Sequence, residues 1–121
     1  MKATLPSEHA MQVVVIDWWR LACKGYGLPE FALFAIPNAA KRSYKLAAYM
    51  RAEGMRAGPP DLFLAVGRRD LHGFFIEMKR RPNKVGEEQE RVIKYLQGAG
   101  YLVRVCWSSE AAIAWIEDYL R

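Results

Sequence analysis

Asp61, Glu77 and Lys79 interrupt two otherwise apolar runs, Leu62-Phe63-Leu64-Ala65-Val66 and Phe74-Phe75-Ile76 with Met78. Glu77 and Lys79 are two residues apart, so on a strand they share a face. The segment Gly67 to Gly73 between the runs reads as a turn, which folds them into a hairpin. A hairpin centred near Asp70 sets Asp61 opposite Lys79, and moving the centre by one residue sets it opposite Glu77. Both registers leave the three side chains on one face, within roughly 5–8 Å of each other. Two carboxylates enclosed by apolar residues repel each other and lose hydration, and a cation between them removes both penalties. Oxygen donors at such spacing suit Mg2+ or Mn2+, not zinc. The plainer alternative is an ion-paired triad closing a sheet edge. The apolar strands around the triad weigh against it.

Two helical residues add to the group. Glu8 follows Ser7, a good helix cap, and shares a face with Met11, Gln12 and Val15. Gln89 shares one with Val92, Ile93 and Leu96. Alone, Glu8 would serve the helix dipole and Gln89 would be a fringe residue. Beside the triad they supply a further carboxylate and an amide aimed at a phosphate or a water.

The elements that must carry these residues follow from periodicity and breakers. A helix is expected from Glu8 to Lys24, ended by Gly25-Tyr26-Gly27-Leu28-Pro29. A buried strand from Phe31 to Ile36 closes at Pro37-Asn38. A second helix runs from Ala39 to Glu53, with Gly54 as its stop. Gly58-Pro59-Pro60 cannot continue a helix, and the hairpin strands Asp61 to Val66 and Phe74 to Lys79 follow. After a basic loop from Arg80 to Gly86 come a helix from Glu87 to Ala99 and a strand from Tyr101 to Trp107. Ser108 or Ser109 caps a last helix with the stripe Ala112, Trp115, Ile116, Tyr119 and Leu120. The order α-β-α-β-β-α-β-α describes an α/β protein with a mixed four-stranded sheet flanked by helices, in one domain spanning residues 1–121.

Composition bounds the possibilities. The chain has 121 residues, 52% hydrophobic and 26% charged, which suits a globular domain and argues against disorder. Eighteen Lys and Arg against thirteen Asp and Glu leave a net charge of +5, favouring an anionic partner. No stretch approaches the ~20 apolar residues of a membrane span, and the first residues lack the apolar run of a secretory signal. Cys23 and Cys106 sit in no Cys-x-x-Cys pair and suit reduced thiols in a cytoplasmic protein.

The run Gly54-Met55-Arg56-Ala57-Gly58-Pro59-Pro60-Asp61-Leu62, then Phe75-Ile76-Glu77-Met78-Lys79, then Gln89 and Gly100-Tyr101, resembles the virus-type replication-repair nuclease (VRR-NUC) domain. That domain is a branch of the PD-(D/E)xK nucleases, here read as Pro60-Asp61 and Glu77-Met78-Lys79. Glu8 and the Pro37-Asn38 turn also fall where the family has them. Glu87-Glu88 departs from the small polar residue often found before the Gln, which touches only the helix cap. The resemblance implies a restriction-endonuclease-like fold and a Mg2+- or Mn2+-dependent DNA endonuclease acting on branched DNA such as four-way junctions, in repair or recombination. It implies metal binding by Asp61, Glu77 and the backbone carbonyl of Met78, with Glu8 joining directly or through water. Lys79 would orient the attacking water or stabilise developing charge, and Gln89 would position water, phosphate or Lys79. Stand-alone members resemble phage or bacterial proteins that dimerise, placing this one in the cytoplasm of a bacterial cell or phage-infected host.

Basic residues surround the motif. Arg80, Arg81 and Lys84 follow it, and Lys41, Arg42, Lys45, Arg51 and Arg56 lie on or after the second helix. As a set they would supply phosphate contacts with little base readout. Arg68 and Arg69 sit in the hairpin turn, at its far end from Asp61. Val13 to Ile16 and Trp18-Trp19 make the first helix apolar nearly all round. One face enters the core, and the other either packs within the domain or forms a twofold homodimer seam. Two rival readings are a non-catalytic nucleic-acid-binding module and another PD-(D/E)xK branch, an exonuclease or restriction enzyme.

Overall fold

Ser7 opens the first helix as its residue type requires, its hydroxyl accepting the Ala10 N–H at 3.0 Å. This is seen in a computed structural model that describes residues 4–38 and 43–121. The first helix, α1, spans Glu8–Ala22 and runs on into a 3-10 turn at Cys23–Tyr26. The first strand is shorter than expected. Pro29 starts a second 3-10 turn at Glu30–Ala32, leaving β1 only Leu33–Ala35 and turning Phe31 out to 81% exposure. The next helix, α2, is Tyr44–Ala52, capped by the Ser43 hydroxyl on Leu46 N–H; the expected start at Ala39, with Lys41 and Arg42, lies outside the described residues.

The hairpin strands are β2, Leu62–Leu64, and β3, Phe74–Met78. Then follow α3 (Glu87–Gly98), β4 (Leu102–Cys106) and α4 (Ser109–Tyr119), the last capped by Ser108. Among the described residues the sheet has four strands in the order β1-β2-β3-β4, so spatial order follows chain order. β1, β2 and β3 pair antiparallel, and β4 lies parallel to β3 after the α3 crossover.

Alternation along the strands divides the sheet into two unlike faces. Leu62, Leu64, Phe74, Ile76 and Met78 are completely buried against Met11, Val15 and Trp19 of α1 and Ala112, Ile116 and Tyr119 of α4. Each such side chain contributes roughly 1.5–3 kcal/mol by leaving water, so this face dominates stability. The polar atoms that enter it are satisfied. Tyr119 donates its hydroxyl to Val66 O at 2.6 Å, Ser109 to Met11 O at 3.0 Å, and the Trp19 indole N–H to Glu30 O at 2.8 Å. Cys106 is also buried, and desolvation pushes its thiol up to about 11 against the lowering influence of Arg104.

The other face carries an aromatic stack. Phe63 lies over Phe75 with ring centroids 4.3 Å apart, and Phe34 and Tyr101 meet them edge-on. Gly73 makes the stack possible, since a Cβ there would sit 2.6 Å from the Phe63 ring.

The hairpin turn is tight. Arg68 and Leu71 exchange two backbone hydrogen bonds across Arg69 and Asp70, both at positive φ (48° and 67°). The Arg69 guanidinium reaches the carbonyls of Asp118 and Arg121 and lies over Tyr119. Arg69 therefore ties the turn to the end of α4, a role distant from the chemistry.

Candidate active site

The chain reaches Asp61 through a loop pressed against α3. Gly58 is buried at φ +110°, and a Cβ there would lie 3.0 Å from Glu88 Cγ and Val92 Cγ2, so only glycine passes this point without displacement. Asp61 is then held twice. Its carbonyl accepts Ile36 N–H at 2.8 Å, and its carboxylate Oδ2 accepts Met78 N–H at 2.8 Å. The pairing Leu62↔Ile76, carried one residue outward, sets Asp61 opposite Glu77, the second of the two registers weighed above.

Glu77 is 3% exposed, a carboxylate inside the fold. Its Oε2 accepts the Gln89 amide N–H at 2.9 Å and lies 3.6 Å from Lys79 Nζ. Burying a carboxylate is tolerable only with such partners. The Gln89 amide is oriented from its other end, where Oε1 accepts the Gly86 N–H at 2.9 Å and closes the start of α3. One side chain thus caps its own helix and grips a catalytic candidate on β3. Lys79 is fixed through its backbone N–H to Cys106 O at 2.9 Å.

The structure thus brings Asp61, Glu77, Met78, Lys79 and Gln89 together at the carboxyl-terminal end of β3. Glu8 sits to one side. Its Oε2 accepts Arg80 N–H at 3.1 Å and the Asn83 amide at 3.2 Å, so it anchors the basic loop that follows Lys79. Asn83 had no motif to signal it; only its place two residues beyond an Arg-Arg pair in a proline-bearing loop set it apart. Asn38, His9 and Gln12 border a polar groove of about 340 Å3 that opens on Asp61.

The basic residues divide. Lys84 and Lys45 are exposed, while Lys41 and Arg42 lie outside the described residues. Arg56 lies 3.8 Å from Glu88 and, with Arg51, lines a shallow depression beside the Gly58 loop. Arg80 folds back so that its guanidinium meets Leu5 O at 3.3 and 3.4 Å, and Arg81 lies over Trp107 at 4.7 Å.

The donors suit a hard divalent cation. Among the described residues no group of three or more His, Cys, Asp or Glu side chains gathers, so the donors at hand are two carboxylates and the Met78 carbonyl. Mg2+ is commonly held by one or two carboxylates with water and substrate phosphate completing its shell, and Mn2+ takes similar oxygen donors.

A mixed sheet with paired acids and a lysine at one strand end defines a restriction-endonuclease-like α/β fold. The VRR-NUC domain model matches residues 6–110, and the chain belongs to that family. A solved structure described as a VRR_NUC domain protein is similar over 97% of this chain and 90% of its own, at 27% identity and a TM-score of 0.82. No curated protein matches. Membership implies a nuclease of the PD-(D/E)xK superfamily. No helix of the described residues is long and apolar enough to cross a membrane.

Proposed function

We propose that this protein is a metal-dependent DNA endonuclease that hydrolyses phosphodiester bonds in branched DNA, four-way junctions among its substrates. The observation that carries the reading is the buried Glu77 carboxylate, gripped by Gln89 and Lys79 and set opposite Asp61 in the hairpin register, in a chain of the VRR-NUC family.

Asp61, Glu77 and the Met78 carbonyl would hold Mg2+ or Mn2+, which supplies Lewis-acid activation of water and neutralises charge on the phosphate. The chain's own groups do the rest. Met78 N–H orients the Asp61 carboxylate, and the Gln89 amide orients Glu77. Lys79, an ammonium next to Glu77, faces the reacting phosphate and steadies charge that develops on its oxygens. Glu8 keeps the 80–84 loop against the site and would join the cation directly or through water.

The protein works as a homodimer, its partner being a second copy. The exposed apolar residues Val13 and Leu21 on α1, with Phe31 close by, provide the seam, and Leu21 is 85% exposed. Two copies would present two sites to a four-way junction.

The experiment is cleavage of labelled duplex, flap and four-way junction DNA with Mg2+, Mn2+ or EDTA. Asp61→Ala and Glu77→Ala should each nearly abolish cleavage while DNA affinity stays within a few-fold of wild type. Wild-type cleavage by either variant, or undiminished cleavage in EDTA, would overturn the mechanism.

A further inference from the structure

Beside the start of the basic loop, bordered by Arg80 and Arg81, lies a groove of about 390 Å3, within the ~300–1,000 Å3 of ordinary ligand pockets. Its walls are mainly apolar, formed by Leu5, Pro6, Val14 and Trp107 among others. Leu5 and Val14 remain 52% and 49% exposed, so nothing in the fold covers them. Along its rim run Arg80 and Arg81, one and two residues beyond Lys79. Even a fully extended chain separates Arg81 from Lys79 by no more than about 7 Å, roughly one nucleotide step. The Arg81 guanidinium lies over the Trp107 indole at 4.7 Å, offering an exposed planar cation backed by an aromatic ring.

We propose that this groove receives an unpaired nucleobase of the DNA, stacked on the Arg81–Trp107 pair, next to the strand held at Asp61 and Glu77. The inference rests on the nuclease reading and gives that site its preference for branched over fully paired DNA. The charge distribution selects the occupant. The arginine rim attracts a polyanion, whereas Glu110, which also borders the groove, disfavours a phosphate inside it. A base meets both conditions, because its ring is uncharged and the N–H groups of an unpaired base are donors for a carboxylate. Unpaired bases stack on aromatic rings and guanidinium planes whatever their sequence, and paired bases in a duplex cannot enter. Junction arms and flaps supply such bases at or near the branch.

The test is binding without cleavage: fluorescence anisotropy in EDTA with a single-stranded 12-mer and with the corresponding duplex. Trp107→Ala should weaken single-strand binding by about 5- to 100-fold and leave duplex binding within about twofold. Trp107→Phe should restore most of the loss. Arg81→Lys, at an exposed position where folding is not at stake, keeps the charge and removes the plane, and should reproduce the selective loss. A 2-aminopurine base in the 12-mer should be quenched by wild type and not by Trp107→Ala. Equal losses on both DNAs, or no loss on either, overturn the groove assignment while the nuclease reading stands. A change of molecular mass on Trp107→Ala overturns it in favour of a contact between copies. Failure of the wild-type protein to bind either DNA overturns the nuclease reading itself.

Discussion

Gln89 holds two elements in register. Its amide oxygen takes the Gly86 N–H and its amide nitrogen grips Glu77 Oε2. Outer partners of this kind are worth roughly 10–100-fold in metal affinity or activity, because they fix the carboxylate that does the binding. Gln89→Leu should therefore raise the Mg2+ concentration for half-maximal cleavage by about that factor. Titrating Mg2+ in a cleavage assay checks this, and Gln89→Glu should be no better, since it sets a third carboxylate beside Glu77 instead of a donor. How legible the site was differs residue by residue. Glu77 and Lys79 followed from strand periodicity, and Asp61 from hairpin arithmetic that left two registers open. The choice between them depends on the tight turn at Arg69-Asp70, where two non-glycine residues at positive φ carry no simple sequence signature. The bond from Met78 N–H to Asp61 was invisible for a different reason: backbone donors have no residue type to read.

At the scale of elements, the hairpin and α4 depend on each other. Tyr119 donates to the Val66 carbonyl just beyond β2 and packs its ring on Phe74, with centroids 5.3 Å apart. Burial also pushes its phenol up from the ordinary tyrosine value. Tyr119→Phe keeps the ring and leaves the Val66 carbonyl without that donor, a loss of about 1–3 kcal/mol. Urea unfolding should show that loss with cleavage unchanged, because the bond is remote from Glu77. The last helix was largely well read: Ala112, Ile116, Tyr119 and Leu120 of its stripe are buried, while Trp115 is only half-buried at the edge of the core, under the Arg104 guanidinium. The first strand was overestimated. Phe31 looks like a core residue in the apolar run Phe31 to Ile36, but the 3-10 turn after Pro29 rotates it to the surface. Local backbone geometry overrode hydrophobic pattern there.

For the molecule as a whole, the net charge of +5 and the exposed lysines make DNA binding an electrolyte problem. The logarithm of affinity should fall linearly with the logarithm of salt concentration, and Lys84→Ala should reduce that slope by about one. Affinity independent of salt would contradict the assignment. Static light scattering at micromolar concentration should give a dimer, and Leu21→Asp a monomer. A monomeric wild type would remove the α1 seam.

The order of the strands carries one more consequence. Each strand pairs with its neighbour in sequence, so the sheet needs no distant segment in order to assemble. Distant segments meet elsewhere: Ser109 binds Met11 across 98 residues, and Glu8 reaches Arg80 across 72. Closing long loops is the slower, entropically dearer event. Asp61 and Glu77, only 16 residues apart, close a shorter loop than Glu8 and Arg80, 72 apart. The Glu8 anchor on Arg80 and Asn83 is expected to be the last part of this end of the sheet to lock, because it closes the longer loop.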